Sequence, residues 1–258
     1  MKNAVKEKML AGGKTLGTFF ELAVGNVAEC IGLSGLDYLI IDNEHGPHNP
    51  ETTLEFVRAA KLYGIMPFAR ANEISRPAIL KLLDAGAMGL IIPCVKTVGE
   101  VEKIVEYGKY APLGARGVGA TAGSGYWYED YAQHGLEHYF SVSNRETMLL
   151  PQCETAECLE HIEEIVKVDG IDGVFVGPFD LSTALGKPGD FGDPVVKDAI
   201  AHVQKVCKSA GKFSFLFAGT IEKARAGFAM GYDSITYGTD AAVLTDAYRA
   251  ARKAILDT

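Results

Sequence analysis

No stretch of these 258 residues is apolar enough to cross a bilayer. A spanning helix needs about 20 consecutive apolar residues, and no run here approaches that. Basic charge is also in short supply. Lys and Arg together number 25 against 33 Asp and Glu, for a net charge of −8, which argues against nucleic acid or an anionic membrane as the main partner. Cysteine is sparse: the residues at 30, 94, 153, 158 and 207 are odd in number and form no C-x-x-C. They read as reduced, mostly buried cytosolic thiols rather than a disulfide framework. The opening M-K-N-A-V-K-E-K-M-L is too charged for a secretory signal. There is no internal repeat, no low-complexity tract, and no G-x-G-x-x-G after the first apolar run. The expectation is a soluble cytoplasmic protein that works on small molecules.

What the chain does have is rhythm. Hydrophobic residues make up 48% of it, enough for a sizeable core, and they fall in short buried-looking runs that alternate with helical patterns. The runs predict eight strands, at 15–21, 37–44, 66–71, 89–95, 148–154, 173–179, 212–218 and 233–238, after a short N-terminal helix at 3–11. Helix punctuation agrees. Asn49 stands as N-cap before Pro50 and Glu51, Thr97 and Glu100 form a capping box, Asp193-Pro194 opens a helix, and Gly64, Gly86, Gly211 and Gly231 are stops. Strand–helix alternation eight times over is the pattern of a single (β/α)8 TIM barrel spanning 1–258. The rival, an open doubly wound sheet, lacks its glycine fingerprint. The rhythm breaks at 112–145, rich in glycine and aromatics, which reads as a long loop serving as a lid or a subunit contact.

In a barrel the site lies where strands end, so polar residues at strand C-termini are the candidates. Strand two offers Asp42, Glu44 and His45, strand three Arg70, strand five Gln152 and Glu154, and strand six Asp180. Lys96, Gly219 and Asp240 end the remaining strands less distinctively. Glu154 and Asp180 bracket a strand–helix–strand unit, with 157–170 as its helical stretch, so they end parallel neighbours and could share a cation. Oxygen ligands suit Mg²⁺, Mn²⁺ or Co²⁺; the alternative is that each caps a helix or pairs with a lysine. His45, beside a carboxylate, is a candidate general base or a structural rim histidine. Arg70 could hold an anion or a developing oxyanion, or could salt-bridge to Asp42 or Glu154. In G-P-F-D-L-S the N–H groups of Phe179 and Asp180 could cradle a carboxylate, or the segment is an ordinary turn. Weaker candidates are His134 with His138 as a metal pair, Lys96 as a Schiff-base lysine, and Arg116 reaching a substrate tail or holding the excursion. Cys94 and Cys153 look like strand core.

The motifs D-N-E-H-G-P-H-N, F-A-R, L-L-D-A-G-A-M-G-L-I-I-P, G-A-R-G-V-G, Q-C-E-T and G-P-F-D-L-S occur in this order. On them the chain resembles the HpcH/HpaI aldolases, metal-dependent class II pyruvate aldolases typified by 4-hydroxy-2-oxoheptanedioate aldolase, over nearly its whole length. The resemblance implies reversible aldol cleavage of a 4-hydroxy-2-oxo acid to pyruvate and an aldehyde through a metal-stabilised enolate. It implies Glu154 and Asp180 as ligands of a divalent cation, His45 oriented by Asp42 as the base, and Arg70 on the enolate oxygen. Gln152 and the Gly177, Pro178, Phe179, Asp180 turn would bind pyruvate, and Asp84 would guard the entrance of a neighbouring subunit. It further implies a hexamer in which the last helix swaps between subunits. His48 in E-H-G-P-H, Phe179 in G-P-F-D and the aromatic K-F-S-F-L-F-A-G depart from the family's usual residues and point to an altered aldehyde pocket. Three rivals compete. An acyl-CoA ester lyase of the citrate-lyase type would need a basic surface for the CoA phosphates, and no such cluster lies near the mouth. A phosphate-handling barrel would need a glycine-rich cradle after the last two strands. A non-catalytic keto-acid-binding barrel would have no use for the full polar set.

Overall fold

Eight parallel strands close on themselves in chain order. They are β1 (Thr15–Phe20), β2 (Tyr38–Asp42), β3 (Met66–Arg70), β4 (Gly89–Ile92), β5 (Met148–Cys153), β6 (Gly173–Val176), β7 (Phe213–Ala218) and β8 (Ser234–Thr239). The structure, a computed structural model, describes residues 1–257. The predicted barrel is therefore what the chain forms. Helices follow the strands: α1 (Ala4–Leu10) precedes the barrel, then come α2 (Gly25–Leu33), α3 (Pro50–Leu62), α4 (Arg76–Asp84), α5 (Val98–Gly108) and α6 (Leu136–Glu146). The second half carries α7 (Ala156–Glu160), α8 (Ile162–Ile165), α9 (Pro178–Ala184), α10 (Pro194–Ser209), α11 (Ile221–Met230) and α12 (Asp240–Leu256). Asn49 and Thr97 form capping boxes, and Asp193 accepts from the Val195 N–H at 2.8 Å. None of these helices is long and apolar enough to cross a membrane.

Two hydrophobic layers hold the barrel. Inside, Phe19, Tyr38, Ile40, Phe68, Phe175 and Phe215 pack together, and Val5 and Met9 of α1 close the bottom. The Tyr38 hydroxyl is satisfied there by Ser234 and Thr236, each at 2.8 Å. Outside, the other face of each strand packs against the helices.

Three strands stop two or more residues short of their predicted ends: β2 at Asp42, β4 at Ile92 and β6 at Val176. Each stop has a local cause. The Asp42 carboxylate accepts from the Glu44 and His45 N–H groups at 3.1 and 3.4 Å, turning the chain. Pro93 and Pro178 have no N–H to continue a ladder. The single helix expected between β5 and β6 is broken at His161 into α7 and α8.

The 112–145 excursion is a folded appendage rather than a loop. Tyr110, Ala132 and Tyr139 form a small core with Trp127, Tyr131 and Phe140 against it, and the segment runs through two 3-10 turns into α6. It connects a helix to a strand, so it lies at the face opposite the strand C-termini and cannot lid its own mouth. Buried Lys109 anchors it: its Nζ donates to the carbonyls of Asn144 and Thr147 and lies 3.1 Å from Asp172 Oδ2. Lys109→Met should cost about 3 kcal/mol, since a buried carboxylate and two carbonyls lose a shared donor; a urea unfolding midpoint reads this.

At the other end of the chain, α12 buries only Asp240. Its Val243, Leu244, Tyr248, Ile255 and Leu256 are all exposed.

Candidate active site

The side chains at the strand C-termini surround a pocket of about 240 Å³. Parallel register builds its first half. Asp42 of β2 sits beside Arg70 of β3, and Asp42 is fully buried. Arg70 donates through Nε at 2.8 Å and through Nη2 at 2.5 Å to its two carboxylate oxygens. The guanidinium also lies 4.6 Å from the centre of the Phe19 ring, and its Nη1 is 3.0 Å from Glu44 Oε2. Burial pushes the Asp42 carboxyl up, but hydrogen bonding and charge from Arg70 outweigh it and hold the group below the usual carboxylate range.

This corrects one expectation. Asp42 does not orient the His45 imidazole. It is occupied by Arg70, and what it holds of His45 is the backbone N–H. The imidazole is carried on a tight turn at the exposed lip of the pocket. Gly46 makes that turn possible, since a Cβ there would stand 2.3 Å from the Asp42 carbonyl.

The second half comes from β5 and β6. Gln152 pairs with Phe175 and Cys153 with Val176, so Glu154 and Gly177 follow side by side. Glu154 is buried; its Oε1 accepts from the Cys94 N–H at 2.7 Å and its Oε2 from the Gln152 amide. Gly177 has no room for a side chain, because a Cβ would lie 2.8 Å from both Gln152 Nε2 and Glu154 Oε2. Pro178 then starts α9, whose first N–H groups, those of Phe179 and Asp180, receive no side-chain cap. Asp180 is exposed at the pocket edge. Burial pushes the Glu154 carboxyl up, and the negative charge of Asp180 adds to it.

The donor set fits a divalent cation. Among the described residues, Glu44, Cys94 and Glu154 present ligand atoms within 4.8 Å of one another. Buried Gln152 Oε1 has no hydrogen-bond partner, and Glu44 Oε2 makes none beyond its 3.0 Å ion pair with Arg70 Nη1. Clustered carboxylates with spare acceptor atoms, and Asp180 near enough to raise Glu154, are the chemistry of a hard-cation site. The tightest trio thus joins Glu154 to Glu44 and Cys94 rather than to Asp180.

Cys94 is a second correction. It is exposed, with φ +57°, one residue past the proline that ends β4; Cys153 is core as expected. Burial and then the Glu154, Glu44 and Asp180 charges push the Cys94 thiol up. Glu21 was also missed. It directly follows β1, lines the pocket, and is pushed up by burial and by Asp42 and Asp240.

Other candidates lie elsewhere. Asp84 is at the end of α4, its Oδ1 2.9 Å from Arg116 Nη2, outside the mouth of its own chain. Arg116 also stacks 4.7 Å over Tyr110, so it holds the excursion. His134 and His138 contact each other on the surface, with His134 3.5 Å from Asp130. Lys96 is a surface lysine paired with Glu157 at 3.4 Å. His48 stacks on Phe20 and lies 3.2 Å from the Phe20 carbonyl, a packing role.

Comparisons with known proteins agree with this architecture. The family model described as HpcH/HpaI aldolase/citrate lyase matches residues 15–247. The chain is 34% identical over 248 residues to 2-keto-3-deoxy-L-rhamnonate aldolase of Escherichia coli (strain K12), with 96% of this chain and 91% of that one covered. It superposes with a TM-score of 0.90 on an HpcH/HpaI aldolase/citrate lyase family protein from Burkholderia cenocepacia J2315, at 30% identity and covering 98% and 99% of the two chains. Citrate synthase SbnG gives a TM-score of 0.85 at 28% identity, covering 95% and 94%. With a whole-barrel match and a mouth built from the strand-end residues of the motifs, the chain belongs to the HpcH/HpaI aldolase/citrate lyase family, enzymes that are carbon–carbon lyases.

Proposed function

We propose that the enzyme reversibly cleaves a 4-hydroxy-2-oxo acid to pyruvate and an aldehyde. The observation that carries this reading is the pairing, across one small pocket, of an arginine clamped by a buried aspartate with the donor cluster of Glu44, Cys94 and Glu154 and the unpartnered amide oxygen of Gln152. Glu154 and Asp180 would hold a divalent cation, Mg²⁺, Mn²⁺ or Co²⁺, with Glu44 and Cys94 beside them. When bound, the cation supplies Lewis-acid polarisation of the 2-keto oxygen.

The chain's own residues do the rest. The uncapped N–H groups of Phe179 and Asp180 receive the substrate carboxylate at the start of α9, and Gly177 and Pro178 shape the turn that presents them. Gln152 lines the floor and has a free acceptor oxygen. Arg70 is fixed on three sides, so its remaining N–H groups point charge at the oxygen on which the enolate develops, without reorganisation. His45 takes the proton from the C4 hydroxyl, C3–C4 breaks, the aldehyde leaves, and the electron pair stays on the pyruvate fragment as its enolate, whose C3 takes a proton from solvent to give pyruvate. In reverse, His45 returns that proton to the new alkoxide.

The direct test is exchange of pyruvate C3 protons for deuterium, followed by NMR. Exchange with Mg²⁺, Mn²⁺ or Co²⁺ that stops with EDTA is expected. Its absence with every metal would sink the reading and move the CoA-ester lyase and the binding barrel ahead of it.

The assembly we propose is a hexamer in which α12 packs on a neighbouring barrel. Support comes from α12, which buries only Asp240 against its own barrel, and from Asp84 and the excursion, which could reach only a neighbour's mouth. Leu244→Glu with Tyr248→Glu should reduce the mass measured by light scattering to that of a smaller species.

A further inference from the structure

The mouth pocket has an apolar neighbour. A cavity of about 430 Å³ opens between α10, α11 and the end of β7. Ile200, Ala201, Leu216, Ala226 and Met230 line it, with Lys197, Asp198 and Lys223 as its charged residues, and Lys223 Nζ lies 4.0 Å from the centre of the Phe191 ring. It shares Pro178, Phe179 and Phe217 with the 240 Å³ pocket. Phe179 is the partition. Its ring meets Phe191 edge-on at 4.9 Å and lies 6.0 Å from Phe217, yet it is 53% exposed. A large apolar side chain left half in water between two concavities gains burial when an apolar group lies against it.

Resting on the aldolase reading above, we infer that this cavity is a tail subsite, and that the aldehyde fragment carries an unbranched alkyl chain or a phenyl ring that passes Phe179 into it. The mouth pocket alone takes the keto-acid end and little more. The adjoining cavity is of the size that ligand pockets have. Its walls are mostly apolar, so methylenes would leave water against five apolar side chains, while a polyhydroxylated chain would find only Lys197, Asp198 and Lys223 to bond. The two alanines, Ala201 on α10 and Ala226 on α11, leave the space open: both are short where a larger residue would close it.

The test uses the full-length enzyme with metal and pyruvate, and measures kcat/KM for aldol addition across straight-chain aldehydes from two to eight carbons, with phenylacetaldehyde and glyceraldehyde beside them. Specificity should rise roughly fourfold per added methylene, the value of burying one CH₂, until the cavity is filled, and phenylacetaldehyde should exceed glyceraldehyde by a factor on the order of 10 or more. Ala201→Phe and Ala226→Phe, each checked for folding by circular dichroism, should flatten that rise. Pyruvate exchange and the two-carbon aldehyde should be unchanged in both. Intact pyruvate exchange with a flat aldehyde series, or a rise that neither variant alters, would overturn the tail subsite and leave the aldolase reading standing. Loss of pyruvate exchange in the unmodified enzyme would overturn both.

Discussion

Glu154→Ala is expected to reduce metal-dependent exchange of pyruvate protons by about 10³-fold or more, because the charge that develops on the enolate is the main barrier and its stabilisation is the largest catalytic factor. Glu154 is the member of the carboxylate cluster with the best-defined position. The Cys94 N–H holds one of its oxygens, Gln152 holds the other, and Gly177 leaves room for it. Glu154→Gln keeps the volume and can keep the Cys94 bond, but it removes the charge and sets its own amide against that of Gln152. It should therefore lose exchange nearly as completely as alanine does. Manganese titration followed by calorimetry or by electron paramagnetic resonance separates the causes. A variant that binds Mn²⁺ as the parent does, yet has lost exchange, would remove Glu154 from the ligand set.

Much of this site is legible in the sequence because it is local. An apolar run that stops at a carboxylate is a strand end, and eight such runs alternating with capped helices leave few architectures besides a barrel. Glu154 and Arg70 follow from strand ends alone, whereas Asp180 stands in the first turn of α9, beyond the Val176 end of β6. What is not legible depends on neighbours in space. The resemblance implies that Asp42 orients His45, but register with β3 sets Arg70 beside Asp42, and a bidentate ion pair takes both oxygens. In I-I-P-C-V the apolar run continues through Cys94, so it reads as core. The missing N–H of Pro93 ends the strand, the next residue turns to positive φ, and the thiol arrives at the mouth. Where the excursion lies is a matter of topology: it joins a helix to a strand, and such connections lie at the end of the barrel opposite the mouth. The aromatic partition at Phe179 needed β7 brought beside α9, which only the closed barrel supplies.

Arg70→Met is the other change with a large expected effect, and it acts twice. Pyruvate exchange should fall by about 10² to 10³, the usual loss when one preorganised donor to a developing oxyanion is removed. Stability should fall by about 3–5 kcal/mol at neutral pH, because a fully buried carboxylate loses its counter-charge and two hydrogen bonds. The two effects separate by pH and by a second substitution. In the parent the Asp42 carboxyl is held below its ordinary value, so it contributes stability above the unfolded value of about 3.9 that is lost as pH falls through the folded one. Without Arg70 the group titrates above its ordinary range, the protonated form fits the apolar surroundings, and the stability deficit of the variant should shrink as pH is lowered toward about 4. Adding Asp42→Asn should recover most of the neutral-pH stability, since no buried charge remains, and none of the exchange activity. Urea unfolding across pH and the NMR exchange rate read the two axes independently. Recovery of exchange in the double variant would mean that Arg70 serves only to neutralise Asp42; recovery of stability alone assigns its remaining N–H groups to the substrate oxygen.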